Sequence, residues 1–274
     1  MQPTVSYDFQ NEYRGPDSEL ERLRIQTLLS WEREARLLKW LGLQDGMAVL
    51  ELGSGPGFVT EQLINLLPAS TITALDVDAN LLARARQYLQ GKVNGRLRWV
   101  QSSITATGLP DNQYDFAIAR YLYQHLADPV RAAQEVKRVL KPGGKFAIID
   151  IDAMLWGIVE PFFPQLQAIY AKAARAQSES GGDRLVGRRL WRILREAGYQ
   201  HVELESFVYH SDTQGLEMFL TQMDPDRLLR ALKGVQISPA EFETAQALYQ
   251  QFETAPNAYV LMTGLIGCGE KYNE

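Results

Sequence analysis

Two carboxylates, Glu51 and Asp76, each stand at the end of a short apolar run, and between them three glycines fall at alternate positions, Gly53, Gly55 and Gly57. Backbone N–H groups in so side-chain-poor a turn point at whatever ligand approaches, and a carboxylate about 20 residues further on accepts hydrogen bonds from ribose hydroxyls. The chemistry indicated is the retention of a nucleoside-bearing cofactor. The spacing reads G-x-G-x-G, because Phe58 occupies the position where a dinucleotide fingerprint needs its third glycine. Glu51 adds negative charge beside the turn, which repels a pyrophosphate and attracts ammonium and sulfonium groups. These residues predict a cationic adenosyl cofactor. His125 brings the second kind of chemistry, since a neutral imidazole near neutral pH removes a proton from a hydroxyl or amine.

Positioning these groups requires strands that end where they stand. The apolar runs predict strands near 47–52, 71–76, 96–101, 114–119 and 145–151, alternating with helices over 57–67, 79–90 and 129–140. Repeated strand-then-helix order implies a parallel sheet covered on both faces, with ligands outside the carboxyl ends of the strands. Glu51, Asp76, Ser103, Arg120, Asp150 and Asp152 lie at or just past such ends.

VLELGSGPG, ALDVDANLLARAR, YDFAIARYLYQHLADP and VLKPGGKFAIID, in this order, resemble the successive motifs of the class I S-adenosylmethionine-dependent methyltransferases of small molecules. The resemblance covers about residues 45–152. It implies a Rossmann-like, seven-stranded, mostly parallel sheet with helices on both faces, and S-adenosylmethionine as cofactor. Asp76 then holds the ribose, Val77 lies along the adenine, Ile104 walls the base pocket, and Gly53, Gly55 and Gly57 carry the turn. Where the family often places an acidic residue against the adenine amino group, this chain has Ser103, whose hydroxyl also accepts a hydrogen bond. Arg120 pairs with the cofactor carboxylate or orients the chain by its backbone. The segment after the fourth strand faces the methyl group, which makes His125 the candidate base and Tyr123, with Tyr121, a candidate lining residue. Tyr13 and Gln26, from an N-terminal segment that folds over the cleft, touch cofactor or substrate.

The 274 residues divide, on this reading, into an N-terminal helical cap (1–46), a cofactor-binding half (47–152) and a substrate-binding half (153–274) with a helical lid inserted at 211–256. Trp156, Phe162, Phe163 and Tyr170 either line an apolar pocket or pack. Arg188, Arg192 and Arg195, with Arg184 and Arg189 nearby, form either a solvated face or a clamp for a substrate carboxylate or phosphate. Composition is that of a soluble globule, 46% hydrophobic and 22% charged, with no membrane-length apolar stretch. A net charge of −5 without basic blocks argues against nucleic acid as partner, and the single Cys268 leaves no multi-cysteine metal site. The expectation is a cytoplasmic methyltransferase, possible as a homodimer, acting on a small or medium organic acceptor, with oxygen slightly favoured over nitrogen or carbon because of His125. A nicotinamide oxidoreductase and a non-catalytic cofactor-binding protein are the alternatives.

Overall fold

The computed structural model describes residues 15–93, 95–155, 157–179, 181–228 and 237–272. Tyr13 and Trp156, singled out in the sequence, lie outside them. Five strands are mutually parallel: β1 (Ala48–Leu52), β2 (Thr71–Asp76), β3 (Leu97–Gln101), β4 (Tyr114–Arg120) and β5 (Leu140–Asp150). They are joined on one side by an antiparallel group, β8 (Tyr259–Glu270) with β7 (Gln200–His210) and β6 (Gly157–Glu160). The order is β3-β2-β1-β4-β5-β8-β6, with β7 on the other edge of β8. The sheet therefore has eight strands among the described residues, not seven. The addition is β6, a four-residue strand whose side chains are mostly exposed and which the sequence hides inside a Pro-broken aromatic segment.

Strand residues alternate between two cores, as a pleated sheet covered on both faces requires. Val49, Phe116, Ile118, Ala147 and Ile149 face one cluster, with α1 (Pro16–Trp40) and α2 (Phe58–Leu66) packed on it. Leu50, Leu52, Ala117, Ala119, Phe146 and Ile148 face the other, beneath α4 (Pro129–Val139) and α6 (Leu190–Glu196). Between β2 and β3 runs α3 (Ala79–Tyr88), started by an Asp78 cap that accepts from Asn80 and Leu81 N–H.

The remaining helices form a layer of their own. Between β7 and β8 lie α7 (Ser211–Gln214), α8 (Leu216–Met223), a 3-10 turn at Pro225–Leu228 and α9 (Pro239–Glu253). The capping box of Ser238 and Glu241 fixes the start of α9 as the sequence predicts. Helix α8 packs on α1, and α9 packs on α5 (Pro164–Glu179) around Leu166, Ile169, Leu228, Ile237 and Ala245. Among the described residues no helix is long and apolar enough to cross a membrane.

Candidate active site

The registers of the parallel strands bring Glu51, Asp76, Arg120 and Asp150 together at the carboxyl ends of β1, β2, β4 and β5. Gly53 N–H and Ser54 N–H both donate to the Leu75 carbonyl, at 2.8 and 3.0 Å, so the chain turns away from β1 while tied to β2. Gly55 N–H donates to Asp76 Oδ2 at 2.8 Å, and Asp76 Oδ1 accepts from Asp78 N–H at 2.9 Å. A carboxylate has about four lone-pair directions, so Asp76 retains acceptor capacity for further partners. Gly55 has φ +54 and nothing within 4 Å of where a Cβ would stand, which leaves an open cradle over the turn. Gly57 opens α2 at φ +88, and its added Cβ would lie 3.0 Å from the Ala85 methyl, so this glycine serves the approach of α2 to α3.

Glu51 departs from its expected role as a standing negative charge. It is buried, its Oε2 accepts from Thr60 Oγ1 at 2.6 Å, and burial, reinforced by nearby Asp76, raises its pKa to about 8 despite the Thr60 bond and Arg120. The carboxyl is mostly protonated at neutral pH until a cation arrives beside it. Asp76 is raised as well, again chiefly by burial, against the hydrogen bonds from Asp78 and Gly55.

Arg120 is committed to α1. Its Nε donates to Glu34 Oε2 at 2.7 Å, and its Nη2 donates to Glu34 Oε1, Ser30 Oγ and the Gln26 carbonyl at 3.0, 3.1 and 3.0 Å. Gln26 thus enters the site through its backbone. Ser30 Oγ also donates to Glu34 Oε1 at 2.6 Å, closing the network. This pair straps α1 across the strand ends and commits Nε and Nη2 of Arg120 to Glu34, Ser30 and Gln26. Beside it Tyr121 has φ +51, an uncommon backbone state for a bulky residue, with the Arg120 guanidinium 4.4 Å from its ring centre. The sequence carried a signal for this strap: Gln26, Ser30 and Glu34 recur every fourth position as a polar stripe along one line of the helix.

The turn after β4 separates His125, the candidate base, from Tyr123, the candidate lining residue. Tyr123 is fully buried in the core beneath α4, 5.9 Å from the Phe146 ring, and burial holds its hydroxyl well above the ordinary tyrosine range. It cannot line the cleft, because the 3-10 turn Tyr123–His125 aims it inward. His125, two positions on, is half-buried. Its turn hangs on Asp150, whose Oδ2 accepts from Gln124 N–H at 3.1 Å and whose Oδ1 accepts from Ile151 N–H at 2.9 Å. Burial raises the Asp150 pKa to about 7 against those bonds and nearby Arg184.

Flanking the turn, Val77 is half exposed past β2, and Ile104 is buried beside Leu75 and Leu52. Ser103 Oγ is engaged locally, 2.9 Å from Thr105 Oγ1, and accepts from Thr105 N–H at 3.3 Å. The arginines expected on one helix face do not act together. Arg188 Nη2 donates to Asp152 Oδ1 at 2.8 Å, Arg189 Nη1 donates to Asp183 Oδ2 at 2.8 Å, and Arg195 lies 5.6 Å over the Trp191 ring. Asp45, Asp115 and Glu135 likewise serve the scaffold; Asp115 Oδ2 accepts from Ala48 N–H at 2.8 Å and steadies the start of β1.

Ser54 Oγ, buried within the glycine turn, has no hydrogen-bond partner among the described residues. An orphaned hydroxyl, an open cradle at Gly55 and spare acceptor capacity on Asp76 fit a polar nucleoside at this place. The methyltransferase domain family matches residues 50–148, the stretch that holds all three. Over those residues the chain matches a methyltransferase domain. It is 33% identical over 122 residues to a 2-phytyl-1,4-naphtoquinone methyltransferase of Trichormus variabilis, covering 44% of this chain and 52% of that protein. It is 32% identical over 111 residues to a ubiquinone/menaquinone biosynthesis C-methyltransferase of Shewanella sediminis, covering 40% and 44%. The chain thus spans about half the length of the curated relatives it matches. Among solved structures, a phosphoethanolamine N-methyltransferase of Haemonchus contortus with bound S-adenosylhomocysteine superposes at a TM-score of 0.57 and 18% identity, over 89% of this chain and 53% of that one. That likeness shows the fold. The mostly parallel sheet with helices on both faces is as the sequence predicts.

Proposed function

We propose that this chain transfers a methyl group from S-adenosylmethionine to a small organic acceptor. The observation that carries the reading is the glycine turn held by Asp76, with the unpartnered Ser54 hydroxyl inside it, at the carboxyl end of β1. The cofactor, when bound, supplies an electrophilic methyl group on a sulfonium. The chain's own residues do the rest. Asp76 takes the ribose hydroxyls on its remaining lone pairs, and Ile104 and Val77 flank the base. Glu51 loses its proton as the cation settles nearby, turning a buried neutral acid into a counter-charge. The strap from α1 to Arg120 and the layer of α8 and α9 exclude water from the strand ends, so that donor and acceptor are held in line. His125 takes the proton from the acceptor as the new bond forms.

The relatives' names point to a quinol-type ring as the acceptor to try first, and to carbon as the methylated atom. Against that, the preference for oxygen drawn from His125 alone has no support, and a ring carbon needs a proton removed as much as a hydroxyl does. The test is methyl transfer from isotopically labelled S-adenosylmethionine to a reduced prenylated naphthoquinone that lacks its ring methyl, with the product identified by mass spectrometry. Label in the quinone is the expected result. Cofactor binding without label in this or any phenolic acceptor would sink the quinol assignment.

A further inference from the structure

The antiparallel side of the sheet is covered unevenly. β5 and β6 take successive stretches of one edge of β8, Lys145–Asp150 against Glu270–Leu265 and Gly157–Glu160 against Met262–Tyr259, while β7 runs along the other edge. Directly opposed residues of antiparallel strands place their side chains on the same face. One face therefore carries Val159, Phe207, Tyr209, Val260 and Met262, all part of the core under α1 and α8. The opposite face carries Ile158 and Glu160 of β6, Leu261 and Thr263 of β8, and Val208 and His210 of β7.

Helix α6 closes only the foot of that second face. A Cβ on Gly267 would lie 2.9 Å from Leu190 and 3.4 Å from Leu194, and one on Gly269 would lie 2.7 Å from Tyr199. The cover ends at the 3-10 turn Val186–Arg189, where a Cβ on Gly187 would stand 2.9 Å from Leu265 Cδ1. Beyond Leu265 the described residues leave the face open, with Ile158 58% and Val208 47% exposed. The sequence of β8 does not suit an open face. YVLMTGLIG is apolar at both parities, the pattern of a strand buried on both sides, whereas a half-solvated antiparallel strand alternates. On the same face His210, its ring 6.0 Å from that of Tyr259, has a buried Nδ1 with no hydrogen-bond partner among the described residues.

The two ends of the open strip differ in charge. Arg188 and Arg189 stand at its foot, their side chains 43% and 50% exposed outside their bonds to Asp152 and Asp183. Glu160, exposed, stands at its head opposite Tyr259, about 20 Å from Leu265 at the rise of a strand. A two-fold rotation about the normal to the face near Thr263 lays the arginine end of one strip on the glutamate end of another. We infer that a second copy of this chain covers this face, in a symmetric dimer that packs sheet on sheet and sets Arg189 of each copy against Glu160 of the other. The interface is independent of the methyl-transfer reading.

The experiment is sedimentation velocity of the intact chain from low to high micromolar concentration. Wild type is expected to form a species of twice the 31.0 kDa chain mass. Val208→Lys, in the middle of the face, should weaken association by about tenfold or more, and Ile158→Lys replaces it should that variant fail to fold. Glu160→Arg should weaken association as well, and adding Arg189→Glu should restore it, because the exchange regenerates opposite charges across the two-fold axis. S-adenosylhomocysteine affinity and thermal melting of the folded variants should match those of wild type at concentrations where all are monomeric. A wild type that stays at 31.0 kDa throughout, a lysine variant that associates as wild type does, or a double variant no better than Glu160→Arg overturns the inference. A monomer that floats with phosphatidylglycerol-containing vesicles assigns the face to a membrane and overturns it equally. Dimers that Val208→Lys dissociates, in a protein that binds no S-adenosylhomocysteine, keep the interface and remove the methyl-transfer reading instead.

Discussion

Replacing Glu51 by glutamine removes an ionisation from the core while keeping an oxygen that accepts from Thr60 Oγ1, now 2.6 Å away. The carboxyl ionises at about 8 in the fold against an ordinary 4.5. The folded chain therefore holds this proton more tightly than the unfolded chain does. Glu51 contributes its full share to stability below the lower value, and that share is lost as pH rises through the window to about 8. At about 1.4 kcal/mol for each tenfold change in proton affinity, the loss between about pH 5 and about pH 9 is up to about 4 kcal/mol. Glutamine does not titrate, so Glu51→Gln should gain stability over wild type by that amount across the range. Removing the charge near Asp76, itself raised by burial, acts in the same direction. Urea unfolding of both proteins at the two pH values measures it. A difference between them that stays constant within about 0.5 kcal/mol would mean that Glu51 ionises normally and is charged whether or not a cation lies beside it.

Two further substitutions test the strap and the turn. Arg120→Met strands Glu34, whose side chain is fully buried, and should cost about 3–5 kcal/mol of folding stability by denaturant titration; a cost below about 1 kcal/mol would show that α1 is held by its apolar contacts alone. His125→Ala should lower methyl transfer by about 100-fold or more while leaving S-adenosylhomocysteine affinity unchanged, as befits a proton acceptor. Retained turnover would return His125 to a packing role.

The alternation of strand and helix from 47 to 152 was legible because buried parallel strands are continuous apolar runs, and the glycine turn was legible because little besides glycine tolerates its backbone. The β6 strand was not, since a four-residue edge with exposed side chains has neither alternation nor an apolar run. Tyr123 misled for a local reason: in this three-residue 3-10 turn Tyr123 and Gln124 are buried while His125 is half-buried, and no period in so short an element distinguishes them. The ion pair of Arg120 was not legible because its partner Glu34 lies 86 residues away on a helix. Likewise Arg22 and Gln222, 200 residues apart, become neighbours only when the helical layer folds back on α1. Strand ends reveal where a site is; the long-range pairs that furnish it require the fold.

The account stands on Asp76 and the glycine turn selecting an adenosyl ligand. Calorimetric titration of S-adenosylhomocysteine into wild type and Asp76→Ala tests this most directly. Saturable one-to-one binding is predicted, weakened in the variant by about 5- to 150-fold, equivalent to about 1–3 kcal/mol for ribose hydroxyls left unpaired. Equal affinities in the two proteins, or heat from NAD with none from S-adenosylhomocysteine, would contradict it.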